Sequence, residues 1–129
     1  MNNKFREHGN SSFCVDGNIV TVVMKGAFNE YGFRVFTNCI KSIIDDLQGE
    51  RFSIMMNMIE ATGGTPELYV EAEQYNEWLN SQNLIAKAIV IDSIVTLDIY
   101  NSRVKANKIQ DYKSFDNELD AIKWLKNKS

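Results

Sequence analysis

The sequence predicts an α/β fold: a single mixed, mostly parallel five-stranded sheet with an N-terminal antiparallel hairpin and about four helices, in the order β-β-α-β-α-β-α-β-α. Three observations predict it. Two apolar runs of strand length, Phe52–Met58 and Leu84–Ile91, are nearly continuous, as in strands covered on both faces. The segments between and around them space their apolar residues by three and four, as amphipathic helices do. Strands joined by helices imply parallel pairing with right-handed crossovers.

Residues 1–10 are polar and read as a flexible arm, and 11–129 read as one domain. Ser12–Val15 is a short strand. Asp16-Gly17 signals a type I′ hairpin turn, which needs positive φ at both central positions. The β-branched run Asn18–Lys25 is its partner strand, and the more buried of the two. Asn29 caps the first helix, with Glu30 inside its first turn. That helix runs to about Gln48 on the apolar face Phe33, Phe36, Ile40, Ile43, Ile44 and Leu47, widened by Val35 and Cys39, and Gly49 stops it. Phe52–Met58 is the buried strand, and Ala61–Gly64 is a glycine-bearing turn. Thr65 caps the second helix, with Pro66 at its first position, where a missing N–H costs nothing. Leu68, Ala72, Tyr75 and Leu79 form its inner face. Leu84–Ile91 is the next buried strand. Ile94, Leu97, Ile99, Tyr100 and Val104 fit a helix of two to four turns. Ile109–Phe115 is a polar edge strand. Asp116 caps the last helix, Asn117–Lys126, whose apolar side is Leu119, Ala121, Ile122, Trp124 and Leu125.

Composition narrows the function classes. A chain of 129 residues can bury roughly two-thirds of its unfolded surface and needs no metal or disulfide staple. Its net charge of −3, from 17 acidic and 14 basic residues, argues against a nucleic-acid partner. No apolar run approaches the roughly 18 residues of a membrane span, and no apolar stretch follows the charged N-terminus, so no secretory signal is expected. The expected location is the cytoplasm, with Cys14 and Cys39 as two buried thiols.

Three stretches resemble the SpoIIAA-like, or STAS-like, domain family of sulfate transporters and anti-sigma-factor antagonists. They are the buried strand followed by Thr62-Gly63-Gly64-Thr65-Pro66-Glu67, the strand Lys87–Asp92, and the closing segment Phe115–Leu125. Together they span roughly residues 12–126. The resemblance implies a regulatory module that acts through protein–protein contacts. The anti-sigma antagonist branch carries a phosphorylated Ser or Thr after an Asp-Ser pair at the start of the second helix. This chain has Ala61-Thr62-Gly63-Gly64 there and lacks the pair, so only Thr62 and Thr65 occupy comparable positions.

The residues themselves offer little catalytic chemistry. The one histidine, His8, sits in the polar arm, a poor place to hold a base within hydrogen-bond reach. Two distant cysteines and one histidine lack metal-ligand spacing. Gly63-Gly64 is neither a Walker loop nor a dinucleotide fingerprint. No cofactor, no metal and no enzymatic activity are expected, with Glu60 or Asp92 as a base only a distant runner-up. Loops at the carboxyl ends of strands are nevertheless where open α/β sheets bind ligands, so Thr62, Gly63, Gly64 and Thr65 form the candidate ligand or phospho-acceptor loop. The acidic second helix, through Glu67, Glu71, Glu73 and Trp78, is the candidate partner surface. The expectation is a non-enzymatic binding module for a protein partner or a second copy of the chain. The alternative is a binder of a small apolar ligand or lipid.

Overall fold

The computed structural model describes residues 9–128. His8 and most of the expected arm lie outside them. The elements are β1 (Asn10–Asp16), β2 (Ile19–Phe28), α1 (Glu30–Asp46), β3 (Phe52–Asn57), β4 (Ala61–Gly64), α2 (Pro66–Asn80), β5 (Leu84–Val90), α3 (Ile94–Arg103), a 3-10 turn (Lys105–Ile109), β6 (Tyr112–Phe115) and α4 (Glu118–Lys126). The sheet order is β1-β2-β3-β5-β6, with β1 antiparallel to β2 and the other pairs parallel.

The sheet is six-stranded, one strand more than the sequence predicts, because Ala61–Gly64 is a strand rather than a plain turn. β4 pairs in parallel with the far end of β2, joining Gly26 to Ala61 and Phe28 to Gly64. Its composition hides it: two glycines and no apolar alternation give no strand signal, and the pairing rests on backbone groups that β3 leaves free when it ends at Asn57. β1 begins at Asn10, earlier than the strand expected from Ser12.

The hairpin differs in its central residues. Asp16 pairs with Ile19, so the two-residue loop is Gly17-Asn18, not Asp16-Gly17. Gly17 has φ +61°, and among the described residues the only non-glycine with positive φ is Gln48. Positive φ at the first central position alone is the type II′ pattern.

Helices cover both faces of the sheet. One face carries Val20, Val22, Ile54, Met56, Ile89 and Ile91 against Phe33, Phe36, Ile40 and Ile44 of α1 and Leu68, Ala72, Tyr75 and Leu79 of α2. The opposite face packs Ile19, Met55, Ala86, Ala88 and Val90 against Ala121 and Leu125 of α4. β3 is buried from Phe52 to Met56, as a strand wrapped on both sides must be. The expected caps form at Asn29, whose side chain accepts from Gly32 N, and at Thr65, whose Oγ1 accepts from Leu68 N at 3.3 Å. The last helix is capped by Asn117 instead of Asp116: Asn117 Oδ1 accepts from Asp120 N at 2.9 Å.

Three core assignments are corrected. Cys14 and Cys39 are free thiols and both are exposed. Cys14 points away from Phe13, the β1 residue that stacks on Phe36, because side chains alternate along a strand. Cys39 and Val35 flank the buried stripe of α1 instead of widening it. In α4, Leu119 is 66% exposed and does not join Ala121 and Leu125.

Candidate functional site

The carboxyl end of the sheet is built by the tail of β2, the end of β3, β4, the start of α2 and α3. Met58 N donates to Val90 O, and Gly26 N donates to Glu60 O. These bonds fold the segment between β3 and β4 over the end of the sheet. Thr65 N donates to Phe28 O and so ties the start of α2 to the tail of β2. Gly64 is needed there for space: a Cβ on it would lie 2.9 Å from Leu68 Cδ1 and 3.3 Å from Phe28 O.

Under this cover lies a small apolar cavity of about 40 Å³. Met24 and Met56 line it from the sheet, Met58 from the segment after β3, Leu68 and Tyr69 from α2, and Tyr100 from α3, with Gly63 and Gly64 on the rim. By volume it would hold roughly two or three water molecules. Thr62 and Gly64 are exposed, and Thr65 is half-buried with its hydroxyl occupied by the cap. The candidate loop thus borders a cavity, but of its four members only the two glycines line it.

The proposed partner surface on α2 is less free than its sequence suggests. Arg34 of α1 pairs with Glu71 at 2.6 Å, and Glu73 Oε1 accepts from Ala106 N at 2.9 Å. Trp78 stacks on Tyr75 and lies under the Lys41 ammonium, 5.0 Å from the ring centroid. Glu67 and Glu77 are exposed. Glu60 and Asp92, the carboxylates considered as bases, are exposed as well, and Glu60 faces Lys25 at 3.6 Å.

The apolar surface is instead on α3. Of its residues only Tyr100 is buried, while Ile94, Val95 and Ile99 are 77%, 70% and 44% exposed. Val95 and Ile99 are one helical turn apart and share a side. Thr96 and Tyr100, one position further along, turn toward the cavity.

A second cluster went unread in the sequence. Lys87, in the middle of β5, is fully buried. Its Nζ donates to Asn76 Oδ1 of α2 at 2.7 Å and to Asn107 Oδ1 of the 3-10 turn at 2.6 Å. It sits 5.3 Å from the centroid of the Tyr112 ring. Among the described residues no carboxylate pairs with it. Burial pushes its pKa from 10.5 down to about 7. Burial also raises Tyr100, against which hydrogen bonds to Asn107 and Asn76 pull down. The signal was present: a strand covered on both faces offers no wet side for a lysine, and Asn76 falls four residues after Ala72 on the buried stripe of α2.

The arrangement is that of an α/β domain with helices on both faces of its sheet. Its carboxyl end offers a glycine rim and an apolar helix, and among the described residues no group of metal-ligating side chains. No described helix is long and apolar enough to cross a membrane. The fold is SpoIIAA-like. The chain superposes on an uncharacterized DUF3478-family protein with a SpoIIAA-like fold from Shewanella loihica PV-4, with a TM-score of 0.68, 15% identity and coverage of 92% of this chain and 94% of that one. An anti-sigma factor antagonist from Mycobacterium paratuberculosis gives a TM-score of 0.64 at 11% identity, covering 92% and 94%. The anti-sigma factor antagonist SpoIIAA in its unphosphorylated form gives 0.61 at 12% identity, covering 91% and 98%. At these identities the likeness is one of fold. No protein-family model and no curated protein matches the sequence.

Proposed function

We propose that this chain is a non-enzymatic regulatory module of the cytosol that works by protein–protein contact, with 11–129 as its single working domain. The observation that carries the reading is α3, a helix that buries one residue and leaves Ile94, Val95 and Ile99 in water beside the β4–α2 rim. Exposed apolar groups gathered beside a polar rim are what an interface core needs. Two of the solved structures that share the fold are anti-sigma factor antagonists, which supports a regulatory role. Thr62, exposed on the rim, is the better placed candidate for modification. The Thr65 hydroxyl is held by its cap.

The test is quantitative capture from source lysate with wild type and with Val95→Asp/Ile99→Asp. Both side chains are exposed, so the double variant keeps its melting temperature. A protein retained by wild type and released by the variant supports α3 as the docking face, and equal recovery refutes it. Glu67→Lys/Glu77→Lys, which spares the internal bonds of Glu71 and Glu73, tests the acidic side of α2 in the same assay.

A second reading, a small apolar ligand, is favoured by the methionine-lined cavity. At about 40 Å³ it is far below the roughly 300 Å³ of ordinary ligand pockets, so a ligand must displace the flexible methionines. Native mass spectrometry of protein purified from its source would show a bound mass. Repeated recovery of the bare chain counts against this reading.

A further inference from the structure

Between α3 and β6 the chain runs through a connector, 104–111, that is fastened mainly by polar side chains. Val104 is its one buried apolar residue, and Ile109 is 78% exposed. Asn107 binds Lys87, Ala106 N donates to Glu73, and Ala106 O accepts from Asn80 Nδ2 at 3.0 Å. Gln110 Nε2 donates to Asn76 Oδ1 at 3.1 Å and to Asn80 Oδ1 at 2.9 Å. Lys87 N donates to Asp111 O at 2.8 Å. The Lys87 amine bonds both Asn76 and Asn107, so one nitrogen joins β5, α2 and the connector.

We propose that Lys87 is a proton-sensitive latch: its neutral amine holds the connector against α2 and β5, and its protonation loosens the connector. A neutral amine has two N–H groups, and the site provides two carbonyl acceptors for them. A third proton adds a charge where no carboxylate answers it. The Tyr112 ring of β6 faces the amine, and Tyr100 of α3 reaches the two asparagines that hold it; burial raises both hydroxyl pKa values, as it does that of Tyr75 on α2, so none supplies a negative charge. Of the acids on the packed elements, Glu73 is bound to Ala106 N and Asp111 pairs with Lys128 at 3.0 Å. Glu77 and Asp98 are exposed, as are Lys105 and Lys108. The Tyr112 ring face and the two amide dipoles soften the charge without cancelling it. Opening the connector hydrates the amine and returns it to its ordinary basicity, so acid favours the open form. This holds whether or not α3 is the docking face.

The experiment is amide hydrogen exchange on the whole chain at pH 9, 8, 7 and 6, corrected for intrinsic rates, read at Lys87, Ala106 and Gln110. With the amine moving from about 7 when closed to 10.5 when open, the opening constant should rise roughly 50-fold from pH 9 to pH 7 and less than about twofold more by pH 6. Lys87→Met should abolish the change. Asn107→Asp, which sets a carboxylate against Nζ and keeps the backbone intact, should flatten it as well and serves if the methionine variant does not fold. A pH-independent wild type overturns the proposal, and so does a slope that survives in Asn107→Asp.

Discussion

Met56→Ala tests the part of the molecule on which the fold and the site both rest. Met56 is 2% exposed, lies in register with Val22 on one side and Ile89 on the other, and forms part of the cavity wall. Truncating a buried methionine to alanine costs about 2–5 kcal/mol, and the cost grows with the space that stays unfilled. Here the deleted side chain merges with a cavity of about 40 Å³ already present. Its walls are held by the sheet ladder and the Thr65–Phe28 tie, so the site collapses poorly. The expected loss is in the upper two-thirds of that range, about 3–5 kcal/mol. For 129 residues the unfolding entropy makes 1 kcal/mol worth about 4 °C, so the melting temperature should fall by roughly 12–20 °C. Urea denaturation is the assay, with an unchanged slope showing that stability alone has moved. The enlarged apolar space should also take up benzene or xenon and regain part of the stability, which wild type should not do. A loss below about 1 kcal/mol, with no uptake, would refute the assignment of Met56 to a rigid buried wall.

Three further outcomes follow from single contacts. Stability should rise with pH from 7 to 9 by about 2 kcal/mol, read as the urea midpoint, because the unfolded chain binds more protons at Lys87 than the folded one between about 7 and 10.5. The rise should be missing in Lys87→Met and reverse near pH ~10, where unfolded tyrosines ionise but Tyr75 and Tyr112, raised by burial, do not. Gly64→Ala should cost about 1–2 kcal/mol by thermal melting, since the new methyl forces Leu68 aside. Thr65→Ala should cost only about 0.5–1 kcal/mol, because the cap bond is long at 3.3 Å, whereas Thr65→Ser should leave stability nearly unchanged.

The fold was legible where burial speaks through periodicity. Phe52–Met56 and Leu84–Val90 announced wrapped strands, and Thr65-Pro66 announced the helix between them, because each residue type there answers a local demand. β4 was not legible. Its strand character comes from what β2 has left unpaired beyond Gly26, and no property of Ala-Thr-Gly-Gly encodes that. The same holds for Gly17-Asn18: the dipeptide signal gave a turn, but the pairing of Asp16 with Ile19 decided which two residues occupy its centre.

The functional surfaces divide along a similar line. Charge on a helix face reads directly from sequence, but whether a charge is free depends on what packs beside it. Of the four glutamates on α2, Arg34 holds Glu71 and the Ala106 amide holds Glu73, and neither bond is visible in the sequence. The apolar residues of α3 differ in the opposite direction, since their spacing implies a covered face and yet Ile94 and Ile99 are exposed. Lys87 shows why such departures are worth tracing. An ammonium inside a sheet lowers stability at neutral pH unless it is paired, and replacement by an apolar residue would remove that cost. Its position, joined to two asparagines from different elements, gives the connector a fastening whose strength depends on proton concentration, which an apolar contact in the same place could not do.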